Sequence, residues 1–170
     1  MLSIKRKNNA TRIIFIIYCL ILIWIVLFKV SFSFSEILWF ARTRSVNIIP
    51  FYYDNNVGDF HIKEVIMNVL IFVPMGLYLK MLDISSKKII LFGFIFSFFL
   101  ELIQFVLAIG ASDITDLITN TTGTAVGWCL YILAGKIFAD KAKTDKVINV
   151  MASIAVSLFL SLAVILFVAN

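Results

Sequence analysis

The stretch IILFGFIFSFFLELIQFVLAI, residues 89–109, decides the fold class. It contains a single charged side chain, Glu101. As a helix it would be roughly 32 Å long, which matches a bilayer hydrocarbon core about 30 Å thick. Lipid offers the backbone no hydrogen-bond partners, so a segment that crosses it must be helical. The stretch therefore predicts a transmembrane helix with one acidic residue inside it.

Four more apolar runs of similar length flank this one, at residues 13–30, 65–82, 117–138 and 147–169. Hydrophobic residues make up 62% of the 170-residue chain, and charged residues make up 15%. A soluble domain of this size leaves about a third of its unfolded surface in water, so it could not bury so much apolar surface. We predict an all-α integral membrane protein, a bundle of about five transmembrane helices. It would have a basic cytoplasmic tail at 1–12, a single domain over 13–170 and an outer loop at 31–63.

The basic residues predict the orientation of the bundle, because cytoplasmic loops carry an excess of Lys and Arg. With the N-terminus inside, 11 of the 15 basic residues are cytoplasmic. These are Lys5, Arg6, Lys7, Arg12, Lys80, Lys87, Lys88, Lys136, Lys141, Lys143 and Lys146. Five crossings then place the C-terminus outside. The net charge of +5 is explained by anionic lipid headgroups, so we expect no nucleic-acid partner.

Glu101 is the side chain that a plain membrane span would not need. A carboxylate at the centre of a bilayer costs about 2.5–3.5 kcal/mol on insertion scales. Ser97 and Gln104 lie four residues before it and three after it, on the same helix face. That face is predicted to point into the bundle. We favour a functional role for Glu101 over a structural ion pair with a basic side chain.

Neighbouring helices carry further polar groups to the same predicted depth. Asn68 lies about one turn into the second predicted helix, and Asn120 lies one turn beyond Asp116 in the fourth. Together they predict a polar pocket in the outer half of the membrane. Its predicted lining is Asn68, Glu101, Gln104, Asp113, Asp116 and Asn120, with a positive charge from Arg42 or Arg44 in the preceding loop.

Three of these residues also have a purely structural interpretation. Asp116 could cap the fourth helix by accepting from its first free N–H groups. Asn68 and Asn120 could simply form hydrogen bonds between helices. In the same way, Gly123 and Gly127 predict a small-xxx-small surface that allows close helix packing, within one chain or between two.

Three sequence blocks, in order, resemble the VanZ-like family of bacterial membrane proteins. The first is Asn47-Ile-Ile-Pro-Phe51, and the second is Asn68-Val-Leu-Ile-Phe-Val-Pro-Met-Gly76. The third is Glu101-Leu-Ile-Gln104, followed by Asp113-Ile-Thr-Asp116, Asn120 and Gly123. The blocks cover about residues 47 to 127, and their order and spacing make the resemblance specific.

The resemblance implies a multi-pass protein of the bacterial cytoplasmic membrane, associated with low-level resistance to lipoglycopeptide antibiotics, teicoplanin above vancomycin. It also adds Asn47 to the predicted ligand-binding residues. One departure from the family pattern is the missing Arg just before Asp113, since residues 110–112 are Gly-Ala-Ser. Either Arg42 or Arg44 serves in its place, or the activity differs from that of the family.

We expect the pocket to bind an amphiphile from the outer leaflet, with membrane lipids as partners. The ligand would be a lipid-linked cell-wall intermediate or a lipoglycopeptide. Its polar head would meet the charged groups and its tail would meet apolar helix faces. No metal or cofactor is expected.

Two other functions remain open from the sequence. One is an enzyme acting on a lipid-linked envelope substrate, with Glu101 as general base and Asp113 or Asp116 as its metal or acid partner. The sequence carries no nucleophile–base motif and a single His, so an enzyme is the less favoured class. The other is a small proton-coupled transporter, in which Pro74 breaks a helix and Glu101 titrates.

Overall fold

The computed structural model describes residues 2–28, 43–52 and 58–169. In these ranges the chain forms five helices and two short strands. They are α1 (Leu2–Phe28), β1 (Thr43–Asn47), α2 (Gly58–Met81), α3 (Ser86–Leu107), β2 (Ile109–Asp113), α4 (Ile114–Phe138) and α5 (Lys141–Ala169). The predicted helical architecture with about five helices is confirmed for this part of the chain.

Every helix begins before the apolar run that predicted it. Helix α1 begins at Leu2, so residues 2–12 of the predicted basic tail belong to a helix, and α5 begins at Lys141 rather than at residue 147. The reason is that an apolar run marks only the part of a helix suited to lipid. Backbone hydrogen bonding continues through the polar residues beyond it.

Two parallel strands are an element that the sequence did not predict. β1 pairs with β2 in a register that places Asn47 opposite Asp113. β1 lies inside the predicted outer loop, most of whose remaining residues fall outside the described ranges. Segments as short and mixed as TRSVN and IGASD carry no alternating apolar pattern, so only their pairing identifies them as strands.

The strand pair marks one end of the bundle, which we call the strand end. Helices α1 and α3 finish at this end, while α2 and α4 begin there, as shown by contacts such as Gln104 with Val26 and Asn68 with Asp116. The polar residues of the predicted pocket therefore converge on the strand end.

Helices α2 and α4 pack with their backbones in direct contact. A Cβ added at Gly127 would lie 1.9 Å from the Val73 carbonyl oxygen, and one at Gly123 would lie 2.2 Å from that of Val69. A Cβ added at Gly76 of α2 would likewise lie 1.9 Å from the Thr124 carbonyl oxygen. The predicted small-xxx-small surface is confirmed, and it packs helices within one chain.

The opposite end of the bundle attaches α5 through polar contacts. The Tyr131 hydroxyl donates to the Asp145 carboxylate at 2.7 Å, and the Asn149 amide donates to the Thr11 hydroxyl at 3.1 Å. Lys141 also pairs with Asp83 in the turn between α2 and α3. These contacts anchor the N-terminal half of α5 against the other helices.

The surface of the bundle is strongly apolar, as a lipid-facing surface must be. Along α3, the exposed side chains include Phe94, Phe98, Phe99, Leu102 and Val106. Two segments in the described ranges, Ile62–Met81 and Ser86–Leu107, are long and apolar enough to cross a membrane. Soluble proteins rarely expose apolar patches of this extent, so these features indicate a membrane protein.

Candidate functional site

A cavity of about 230 Å³ lies at the strand end, between α1, α2, α3 and α4. We call it the polar cavity. Four of the predicted ligand-binding residues line it: Asn68, Gln104, Asp116 and Asn120. Asp116 and Asn120 lie one helical turn apart on α4 and therefore share a helix face, as their spacing in the sequence predicted.

Glu64 also lines the polar cavity, although the sequence analysis did not include it in the site. It precedes Asn68 by four residues and so lies on the same face of α2. That spacing was the available signal. The apolar run predicted for this helix began at residue 65 and so excluded Glu64, whereas the helix itself begins at Gly58.

A hydrogen bond between Asn68 and Asp116 closes one side of the cavity. The Asn68 amide donates to the Asp116 carboxylate at 2.7 Å and joins α2 to α4. Asp116 lies in the first turn of α4, where the helix dipole favours a negative charge. The interhelical hydrogen bond that the sequence suggested for Asn68 is therefore present, inside the cavity wall.

Gln104 and Asn120 are almost completely buried, with 2% and 1% of their surface exposed. The Gln104 amide nitrogen donates to the Val26 carbonyl at 2.9 Å, and that of Asn120 donates to the Ser97 hydroxyl at 3.0 Å. Within the described residues, the Gln104 Oε1 and Asn120 Oδ1 atoms have no hydrogen-bond partner. Each amide thus donates one of its two N–H groups to the protein, and its buried oxygen has no partner among the described residues.

Glu101 lies beside this cavity rather than among its described lining residues. Its side chain is buried, and its Oε2 atom accepts from the Asp113 backbone N–H at 3.0 Å. The Ser112 hydroxyl donates to the Glu101 carbonyl oxygen at 2.8 Å. Glu101 therefore ties the end of α3 to the segment that leads into α4.

Asp113 and Asn47 belong to the same network. The Asn47 amide donates to Asp113 Oδ2 at 3.1 Å, and Asp113 Oδ1 accepts from the Thr115 backbone N–H at 2.7 Å. Asp113 is thus the N-cap of α4, and the prediction that Asp116 caps this helix is wrong. The predicted apolar run began at residue 117, three residues after the observed start of α4 at Ile114, and this moved the cap to the wrong carboxylate.

The predicted positive charge has no described position. Arg42 lies outside the described residues, and Arg44 lies in β1 opposite Gly110 with its side chain not described. The charged side chains among the described cavity residues are Glu64 and Asp116, both acidic.

A second cavity of about 180 Å³ adjoins the first, between α1, α2 and α5. We call it the apolar cavity. Its lining includes Tyr18, Leu22, Pro74, Tyr78 and Val156. Ile25 and Ile71 line both cavities, so the polar cavity and the apolar cavity are neighbours.

Tyr18 contacts α2 near Pro74, beside the apolar cavity, where the helix lacks one backbone hydrogen bond. The proline at position 74 cannot donate a backbone hydrogen bond to the Leu70 carbonyl. The carbonyl of Ile71, the residue after Leu70, accepts a hydrogen bond from the Tyr18 hydroxyl at 2.7 Å. This contact is a hydrogen bond from α1 to α2, close to the position where the proline removes a helical hydrogen bond.

Three observations describe what the site offers chemically. The described residues include no group of three or more His, Cys, Asp or Glu side chains able to hold a metal ion. One of the two Glu101 carboxylate oxygens, Oε2, accepts from a backbone N–H. The polar cavity and the apolar cavity lie side by side.

Comparison with known proteins agrees with the arrangement of the sequence motifs. The VanZ/LLP1 family profile matches residues 15–135. The chain is 41% identical over 137 residues to a protein from Enterococcus faecium named Protein VanZ, covering 78% of this chain and 79% of that protein. No solved structure gives a significant match. The matched region contains α2, α3, both strands and α4 up to residue 135, and on this evidence the chain belongs to the VanZ/LLP1 family.

Proposed function

We propose that this protein is a multi-pass membrane protein that binds an amphiphile and thereby contributes to low-level teicoplanin resistance. The observation that carries the proposal is that a polar cavity and an apolar cavity lie next to each other, with Ile25 and Ile71 in the lining of both. The polar cavity accommodates the head of the ligand and the apolar cavity accommodates part of its tail. Head and tail preferences of this kind favour a lipidated antibiotic over one without a lipid chain.

In this proposal all five helices cross the bacterial cytoplasmic membrane, with the N-terminus inside and the C-terminus outside. The strand end then faces outward, because α1 finishes there and α2 begins there. The distribution of Lys and Arg supports this orientation. The polar cavity would open to the outer leaflet, where lipid-linked cell-wall intermediates and lipoglycopeptides are both found.

The residues divide into two roles. Asn68, Gln104, Asp116 and Asn120 contact the ligand head, together with Glu64. Glu101, Asp113 and Asn47 act as positioning residues, because their hydrogen bonds hold the α3–β2–α4 connection beside the cavity. Arg42 and Arg44 belong to the loop next to the site and complete the set of residues proposed to influence binding.

The experiment compares resistance in a susceptible bacterial host that expresses the wild type or the Asp116→Asn variant. We expect the variant to lose the increase in teicoplanin resistance, because it removes a charge from the cavity wall. Asp83→Asn is the matched control, since it removes a carboxylate that is 76% exposed at the opposite end. Membrane abundance is measured by immunoblot for each strain. Full resistance in Asp116→Asn and Asn120→Ala at wild-type abundance would contradict the proposal.

A further inference from the structure

We infer that a groove on α5, at the end of the bundle opposite the strand end, binds a phospholipid with an anionic headgroup. The groove has a volume of about 320 Å³, and we call it the α5 groove. Its described lining residues are Lys146, Asn149, Val150, Ser153 and Ile154. It shares none of them with the polar cavity or the apolar cavity, so the inference goes beyond the proposed function.

The α5 groove runs from a charged residue to apolar ones. Its lining residues follow Lys146 by three, four, seven and eight positions, so they share one face of α5. Lys146 lies near the start of the helix, and Ile154 lies about 12 Å further along it. Val150 and Ile154 are 51% and 56% exposed. A phospholipid has the same order, with its phosphate at the membrane surface and its acyl chains in the hydrocarbon beneath.

The acidic side chains closest to Lys146 in the sequence are hydrogen-bonded to other groups. Asp145 accepts from the Tyr131 hydroxyl of α4 at 2.7 Å, and Asp140 accepts from the Ala142 backbone N–H at 2.7 Å. Within the described ranges, Lys146 forms no ion pair with an acidic side chain. A phosphate at this end of the groove would gain a charge-assisted hydrogen bond from Lys146.

Two further basic residues lie near the same end of the groove. Lys143 precedes Lys146 by three residues and lies on the same face of α5. On α1, the Thr11 hydroxyl accepts from the Asn149 amide at 3.1 Å, which brings this part of α1 next to the groove. Arg12 follows directly and is exposed. The charge of this region therefore favours an anionic lipid over a neutral one.

Asn149 adds hydrogen-bonding groups one helical turn from Lys146. Its amide donates one of its two N–H groups to Thr11, so the second N–H can donate to a phosphate oxygen. Its Oδ1 atom is buried and has no hydrogen-bond partner among the described residues. An amide paired so incompletely is costly unless another polar group lies beside it, and a lipid headgroup supplies one.

The apolar part of the groove distinguishes a lipid from a soluble anion and from a second copy of the chain. Val150 and Ile154 offer apolar surface that a free phosphate cannot use, whereas an acyl chain can lie along it. A helix of a second copy, packed on this face, would enclose the charge of Lys146 without supplying a counter-charge from the described residues of the groove. A lipid phosphate neutralises that charge at the membrane surface.

The test uses the purified full-length chain in nanodiscs of dioleoylphosphatidylcholine with increasing mole fractions of dioleoylphosphatidylglycerol. The two lipids have the same acyl chains, and only the second has a net negative charge. The unfolding temperature is measured against the mole fraction of the anionic lipid. We expect stabilisation, because the lipid contacts the region where α5 meets α1. Soluble glycerol 3-phosphate, added to nanodiscs of pure phosphatidylcholine, should not stabilise the protein.

Charge variants assign the preference to the groove. Lys146→Gln should raise the mole fraction for half-maximal stabilisation about fivefold, the usual contribution of one lysine at an anionic surface. Lys146→Arg keeps the charge and should behave as the wild type. The matched control is Lys87→Gln, which removes an exposed lysine at the start of α3, outside the groove. It should leave the half-maximal mole fraction unchanged.

A steric variant tests the position of the acyl chain. Ser153 is exposed and lines the groove, so Ser153→Phe fills the groove while leaving Lys146 in place. We expect this variant to weaken the response to phosphatidylglycerol. Its unfolding temperature in pure phosphatidylcholine is compared with that of the wild type, so that a loss of folding is distinguished from a loss of binding.

Four results would overturn the inference. Equal losses in Lys146→Gln and Lys87→Gln would show attraction to the general surface charge and no site. A full response in Ser153→Phe would remove the acyl chain from the groove. Stabilisation by glycerol 3-phosphate that depends on Lys146 would make the ligand a soluble anion. A dimer detected by crosslinking in pure phosphatidylcholine and lost in Ser153→Phe would assign the groove to a second copy.

Discussion

Glu101 shows how the environment of one residue changes its interpretation. An acidic residue in an apolar helix suggested a reactive or titrating group, yet its Oε2 atom accepts from the Asp113 backbone N–H. This bond needs an acceptor at that position and does not require proton exchange. Asp113 in turn caps α4 and accepts from Asn47, so the hydrogen bond of Glu101 joins α3 to the start of α4 through the backbone.

The Glu101→Gln variant separates positioning from chemistry at this residue. Gln retains a carbonyl oxygen that can accept from the Asp113 N–H, so we expect it to keep most of its stability and most of its resistance. Glu101→Leu removes the acceptor and should lower the free energy of unfolding by about 1–3 kcal/mol. The measurements are thermal unfolding of the purified protein and teicoplanin resistance of expressing cells. Complete loss of resistance in a stable Glu101→Gln protein would instead support the enzymatic or transport alternative, both of which stay predictions.

At the scale of the elements, the contact between α2 and α4 determines the geometry of the cavity. Asn68 and Asp116 can form their 2.7 Å hydrogen bond because glycines allow the two backbones to approach closely. The same approach places Gly127 against the Val73 carbonyl and Gly123 against that of Val69. The polar residues of the site thus depend on small residues one to three turns deeper in the helices.

The Gly127→Ala variant tests this dependence. Its Cβ would lie 1.9 Å from the Val73 carbonyl oxygen, a contact that only movement of the two helices can relieve. We expect destabilisation of about 1–3 kcal/mol, the usual range for overpacking, with weaker ligand binding. The matched control is Gly135→Ala in the same helix, where an added Cβ meets nothing within 4 Å. Thermal unfolding of both variants gives the comparison. Equal stability of the two would show that the helices do not need this close approach.

At the scale of the whole molecule, alternating helix directions bring four helix ends together. The C-terminal ends of α1 and α3 meet the N-terminal ends of α2 and α4, next to the β1–β2 pair. Basic residues such as Lys80, Lys87 and Lys141 lie toward the opposite end. This separation of acidic cavity and basic turns is the basis for the proposed orientation in the membrane.

Cysteine labelling tests that orientation. In a background without Cys19 and Cys129, Ile48→Cys at the strand end should react with a membrane-impermeant maleimide on intact cells. Ile48 is 73% exposed and follows β1 directly. Lys87→Cys, exposed at the start of α3, should react only after the cells are permeabilised. The reverse pattern would place the polar cavity on the cytoplasmic side and contradict the proposed topology.

The sequence by itself determined the helical class, the approximate positions of the helices and the residue types at the site. Apolar runs of membrane length predict helices because lipid leaves the backbone no other choice. Spacings of three and four residues correctly placed Asp116 with Asn120, and Gly123 with Gly127, because partners on one helix share a face.

Only the tertiary structure decided which polar groups from different helices share a cavity. That depends on the rotation and depth of each helix against its neighbours, which local periodicity does not contain. It separated Glu101 from the cavity, brought Glu64 into it and made Asp113 the cap of α4. The tertiary structure also pairs β1 with β2 at the strand end of the bundle. A strand is defined by its partner's hydrogen bonds, and the partner here lies 66 positions away, where no short-range pattern points to it.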